Sequence, residues 1–249
     1  MVIRTRTWGE VIATRRRNDK ATFRGFVTDF IVPGPDDHPR AQAFLVEQNP
    51  DWVLPVHFHL QHQYQVVTAG NGTLGKHPIE PLSIHYASPE SGYGPVTAGP
   101  EGLSYLTLRV QSDEGAWYLP ESRERMQRGI RKQQVHGQPS ERLSEAQVRA
   151  LDVFTDDALI APDGSGLAAH LARMPAHHVA AAPLCGCAGD RFYIVTNGSL
   201  IVGDQTLAGL ATVFASREDA LDIRAGPNGL ELLVLQFPDD ARLGAARAG

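Results

Sequence analysis

His57-Phe58-His59 sets two imidazoles two residues apart in a run of β-forming residues, and side chains so spaced on a strand point to the same face. Two imidazoles on one face are the beginning of a divalent-metal site. Gln63, four residues on, lies on the strand expected to return antiparallel beside the first and offers an amide oxygen as a third, uncharged ligand. The alternative readings are two exposed histidines, or a pocket that has lost its metal and kept its shape. His62 alternates away from the pair and reads as surface. For a further metal ligand His85, in Leu82-Ser-Ile-His-Tyr-Ala87, is preferred, because an imidazole in an apolar β run needs a polar partner once buried; a solvent-facing His85 is the other reading. His77, beside Lys76 and Pro78, suits an exposed turn. Tyr93 is a candidate acid/base or hydrogen-bond donor at the pocket mouth, against a role as a packed aromatic, and Gln65 and Tyr105 are candidates for the wall. Zinc, iron, manganese, copper and nickel all accept imidazole, so the cofactor expected is a divalent transition metal of open identity.

These side chains must be carried by strands, and the strands recur. Tyr64-Gln-Val-Val-Thr-Ala-Gly70-Asn-Gly-Thr-Leu-Gly75 aligns without gaps on Phe192-Tyr-Ile-Val-Thr-Asn-Gly198-Ser-Leu-Ile-Val-Gly203. Further on, Val96-Thr-Ala-Gly-Pro-Glu-Gly-Leu runs parallel to Ile223-Arg-Ala-Gly-Pro-Asn-Gly-Leu, one residue out of the first register. Two blocks repeating in order argue for a duplicated domain. Each copy reads as short β strands divided by Gly, Pro, Asn and Asp, in the first copy 43–48, 52–59, 63–69, 82–87 and 103–110. Such a pattern belongs to an all-β barrel or sandwich. The stretch 119–151 is rich in Glu, Arg and Gln, and Ser144-Glu-Ala-Gln147 has the form of a capping box, so a partly helical linker is expected. The domains read as 1–117, a linker 118–160, a second copy 161–240, and a fraying tail 241–249.

The 249 residues carry a formal charge of -5 with no basic stripe, which disfavours nucleic acid as a partner. Nor is any helix-turn-helix segment apparent. No apolar run suits a secretory leader or a membrane span, and the only two cysteines, Cys185 and Cys187, sit too close together to staple distant segments. The expectation is a cytoplasmic protein with a small-molecule partner, no membrane association, and room for a homodimer through its second copy.

Pro55-Val-His57-Phe-His59-Leu-Gln-His-Gln63, followed by Val67-x-x-Gly70-x-Gly72, resembles the first motif of the cupin superfamily: H-x-H, three or four residues, Glu, six residues, Gly. The resemblance spans about residues 40–110 and, through the repeat, 165–238. It implies two cupin barrels, a bicupin, with a metal held by His57, His59, Gln63 and His85. Two departures stand out. Gln63 replaces the family's glutamate, and Ser88-Pro-Glu-Ser-Gly-Tyr93-Gly-Pro occupies the second motif, with Tyr93 near the place of its histidine.

In the second copy His57, His59 and Gln63 align on Cys185, Cys187 and Arg191. That site reads as degenerate, the cysteines being small buried residues; an inward Arg191 would need an anionic partner and leaves a carboxylate ligand open. His177 and His178 lie upstream, with nothing in the sequence to bring them near the thiols. By resemblance the activity expected is that of a metal-dependent oxygenase, dioxygenase-like, in the first barrel. The alternatives are a non-catalytic binding protein, a cupin isomerase, lyase or cyclase, and, furthest from a retained histidine pair, a storage role like that of seed bicupins.

Overall fold

Val, Ile, Leu, Tyr and Phe alternating with polar residues give paired strands that bury one face or both. A computed structural model describes residues 3–128, 132–139, 141–181, 189–219 and 221–243, and these form two compact units. One holds residues 13–136 with 241–249, the other 1–12 with 137–240.

In the first unit the sheet runs Gln134–Gly137, Ile84–Ala87, Gln63–Leu74, Val96–Arg109, Gln42–Gln48, Phe23–Ile31, Arg16–Lys20, with Val53–Leu54 and His77–Ile79 as side partners. In the second it runs Ile3–Arg6, Thr212–Ala215, Arg191–Val202, Asp222–Gln236, Ala168–Met174, Thr155–Ile160, with Val179–Ala181 and Gln205–Ala208 in the side positions. The six strands of the second path follow the order of the first six of the first, and Arg16–Lys20 has no counterpart among the described residues. Even the turns repeat: Gly70 and Gly198 have φ 73° and 71°, and a Cβ on them would meet a carbonyl oxygen at 2.1 and 2.2 Å. Only glycine serves at both points.

Three expectations are corrected. The N-terminal strand Ile3–Arg6 pairs with Thr212–Ala215 and so belongs to the second unit, not to a domain 1–117. Its counterpart in the first unit is Gln134–Gly137, a strand inside the stretch expected to be a partly helical linker. Among the described residues there, helix is limited to Arg123–Arg125 and Glu145–Arg149, the latter with the capping box of Ser144 and Gln147. The described start of the tail is also anchored: Ala241 is buried, and Gln111 Nε2 donates to Arg242 O at 3.0 Å.

Candidate functional site

The strand expected at 52–59 is broken. Pro55 supplies no N–H to a ladder, and the run divides into Val53–Leu54 and His57–Phe58. His57 pairs instead with Tyr118 and, through backbone bonds in both directions, with Tyr93. His59 lies beyond the strand, yet its ring centroid is 5.3 Å from that of His57. Gln63 and Arg109 come from the ends of the two long central strands. These residues line a cavity of about 220 Å³, whose walls are largely apolar and include Phe44, Tyr105 and Tyr118.

The buried polar groups form one directed chain of hydrogen bonds. Arg109 donates from Nε and Nη2 to Gln63 Oε1 at 3.2 and 2.9 Å. That fixes the amide, so Gln63 Nε2 donates to Tyr93 Oη. His57 Nδ1 lies 2.7 Å from Pro55 O, an acceptor only, and must carry the proton. Its Nε2 is therefore a lone pair, which accepts from Tyr93 Oη at 3.0 Å. Every donor points the same way, from the guanidinium to the Pro55 carbonyl, and bonds so ordered polarise one another.

His59 stands beside this chain. Its Nδ1–H donates to Asp113 Oδ2 at 2.7 Å and to Gly115 O at 3.0 Å, leaving Nε2 as an acceptor; Arg109 Nη2 lies 3.1 Å from Nδ1 and 3.4 Å from Nε2, beside the ring rather than on the Nε2 lone pair. Burial and the charge of Arg109 hold His59 down to about 4 against the upward pull of Asp113 and of the bond to Gly115, while burial and the neighbouring His59 hold His57 down to about 3. Both are neutral at pH 7. Burial raises the Tyr93 hydroxyl, keeping it a donor. Burial pushes the Asp113 carboxyl up, but its bond to His59 and the charge of Arg109 outweigh this and hold it below the usual range. Asp113 is thus the anion that offsets a fully buried guanidinium.

No family model and no curated protein matches the chain. Solved structures do. A bacterial pirin from Escherichia coli in complex with nickel(II) matches with a TM-score of 0.55 at 12% identity, over 95% of this chain and 99% of that one. A putative dioxygenase from Nostoc punctiforme gives 0.59 at 12% identity, over 96% and 84%. Salicylate 1,2-dioxygenase from Pseudoaminobacter salicylatoxidans, in complex with gentisate, gives 0.58 at 10% identity, over 97% and 82%. The fold is that of a bicupin. At such identities the likeness concerns the fold alone.

Whether this fold holds the metal expected of His57, His59, Gln63 and His85 is decided by what those atoms already touch. The Gln63 oxygen accepts from Arg109, and His57 Nε2 from Tyr93. Arg109 Nη2 is 2.9 Å from Gln63 Oε1 and 3.1 and 3.4 Å from the two nitrogens of His59, so a fixed positive charge already stands against both expected ligands. His85 does not join them. It is buried on the far side of Tyr93, ring centroids 4.8 Å apart, and gives Nδ1 to Gln65. Among the described residues no three His, Cys, Asp or Glu side chains are grouped to bind a metal. The arrangement does not fit a divalent ion beside a fixed guanidinium.

His62 is buried rather than at the surface, with Nδ1 2.6 Å from Tyr86 Oη. His77 is exposed as expected but stacks on His136, centroids 4.3 Å apart. Gln65 and Tyr105 do line the cavity. Arg109 and Asp113 escaped the sequence reading; the one signal was an arginine closing a strand otherwise free of charge, Leu103-Ser-Tyr-Leu-Thr-Leu-Arg109. Cys185 and Cys187 lie outside the described residues. Among the described residues no helix is long and apolar enough to cross a membrane.

Proposed function

We propose that the first barrel is a metal-independent acid–base site for a small, largely apolar molecule bearing a carbonyl, of the isomerase or lyase kind. The observation that carries this reading is the Asp113–His59 pair, with Nδ1–H on the carboxylate at 2.7 Å, which leaves Nε2 as an acceptor beside the Arg109 guanidinium. A carboxylate on Nδ1 fixes the tautomer and supports the imidazolium that forms when Nε2 takes a proton. In the proposed step Nε2 removes a proton from the carbon next to the ligand's carbonyl. The electron pair moves to the carbonyl oxygen, held by Arg109, and the proton returns to the same or an adjacent carbon. Arg109 keeps an Nη1 hydrogen to spare after its bond to Gln42 Oε1.

The test needs no known substrate. The protein is incubated in D2O with a panel of β-diketones, 2-oxo acids and aryl ketones, and loss of the proton next to the carbonyl is followed by NMR. His59→Ala should slow exchange about 100-fold or more, in line with the usual worth of a positioned base. No exchange by the wild type on any member, or equal rates in the variant, would sink the reading.

A metal-dependent oxygenase is the second reading. It is favoured by one observation, that both histidines anchor Nδ1 on an acceptor and turn Nε2 inward, as metal-held imidazoles do. It requires Arg109 and Tyr93 to withdraw. Metal analysis of protein purified without chelator separates the two: stoichiometric metal that is lost in His57→Ala would favour the oxygenase, and trace metal in both the acid–base site.

A further inference from the structure

The second barrel carries a cation that nothing in the described protein offsets. Tyr193 and Val195 of Arg191–Val202 face the apolar cluster that also holds Val213, Leu232 and Val234, so Arg191, two residues earlier, opens on the same inward face. Register sets Arg191 opposite Gln236, Tyr193 opposite Val234, and Val234 opposite His170. Three polar side chains thus share one interior, Tyr193 and His170 two strand spacings apart and Arg191 two residues along from Tyr193.

Each has unspent hydrogen-bonding capacity. Arg191 is 6% exposed, and its Nε donates to Gln236 Oε1 at 3.2 Å. Among the described residues no carboxylate lies within ion-pair distance of it, Glu231 and Asp190 being engaged by Arg173 and Arg217. The Tyr193 hydroxyl is fully buried and lies against the Arg191 guanidinium, from which it can only accept, so its own proton has no acceptor among the described residues. His170 gives Nδ1 to Asp156 Oδ1 at 2.9 Å, and its buried Nε2 has no partner.

The repeat sharpens the comparison. Gln63 and Arg109 of the first barrel align on Arg191 and Gln236, so the glutamine–arginine pair is kept with its members exchanged between strands. The first guanidinium has Asp113 beside it. The second has no such residue, and a desolvated cation without an anion is too costly to stand alone.

We propose that the second barrel binds a small hydroxycarboxylate. The two Nη groups of Arg191 hold the carboxylate as a fork, the Tyr193 hydroxyl donates to the same group, and His170 Nε2, an acceptor once Nδ1–H is given to Asp156, receives the ligand's hydroxyl. The site is separate from the acid–base pocket and stands or falls without it.

Calorimetric titration of the full chain with glycolate, L-lactate, L-malate and acetate tests this, using wild type, Arg109→Met, Arg191→Met and Arg191→Lys. At least one hydroxy acid should bind wild type and Arg109→Met alike. Binding should vanish in Arg191→Met and weaken about 10-fold or more in Arg191→Lys, which loses the fork. Acetate, without the hydroxyl, should bind about 10-fold more weakly than glycolate, the worth of one good hydrogen bond. Unliganded Arg191→Met should melt no lower than wild type, since it removes an unpaired cation; if it fails to fold, Arg191→Lys decides. No binding of any of the four acids overturns the proposal. So do binding that survives in Arg191→Met or is undiminished in Arg191→Lys, and binding lost in Arg109→Met.

Discussion

Tyr93 joins two halves of the first site, accepting from Gln63 and donating to His57. Tyr93→Phe keeps the ring and strands both partners in a buried place, so it should cost about 1–3 kcal/mol in urea unfolding, the penalty of unmet buried polar groups. Arg109→Met goes further, leaving Asp113 as a buried anion without its cation; about 3–5 kcal/mol is expected. A stability unchanged in Arg109→Met would mean that the guanidinium does not compensate Asp113. Acid should act through the same residues. His57, His59 and His85 are held down to about 3, 4 and 3, burial being the first cause in each. Their folded values lie below the unfolded one, so the stability is whole above about pH 6.5 and falls as the unfolded chain takes up protons from there down towards pH 4. Each ring contributes a slope of about 1.4 kcal/mol per pH unit in that window. Replacing His85 by Phe should flatten the measured dependence between pH 6 and 4.5 by one proton; an unaltered slope would show that the ring charges in the folded state.

At the scale of the element, the glycines of the repeat carry the sharpest test. Gly70→Ala places a methyl group against Gly102 O and forces an alanine into φ 73°. Gly198→Ala does the same against Gly229 O. Each should lower stability by about 1–3 kcal/mol or more, strain and clash together, and the two should match because the turns match. The repeat, these turns and the central strands 63–69 and 103–110 were legible in the sequence, since period and punctuation are local properties. The break at Pro55 was not drawn from the pattern, although the reason, a missing N–H, was present in it. Arg109 was passed over because a single charge at a strand end has no signature until its partner is known.

For the whole molecule, the exchange of outer strands has a measurable consequence. Removing residues 1–6 deletes the partner of Thr212–Ala215 and exposes that strand as an edge. Hydrogen exchange at 212–215 should quicken while Ile84–Ala87, covered by Gln134–Gly137, keeps its protection. Equal protection at 212–215 with and without the first six residues would remove the N-terminal strand from the second sheet. The sequence by itself determined the duplication, the all-β class, and the convergence of His57, Gln63 and Tyr93, because these follow from spacing along the chain and from a motif read in order. Only the tertiary structure decided which strand closes each sheet, and that the expected ligand atoms are already committed to Arg109 and Tyr93. Strand exchange and a guanidinium set against the expected ligands depend on residues far apart in sequence, and no local pattern encodes a contact between them.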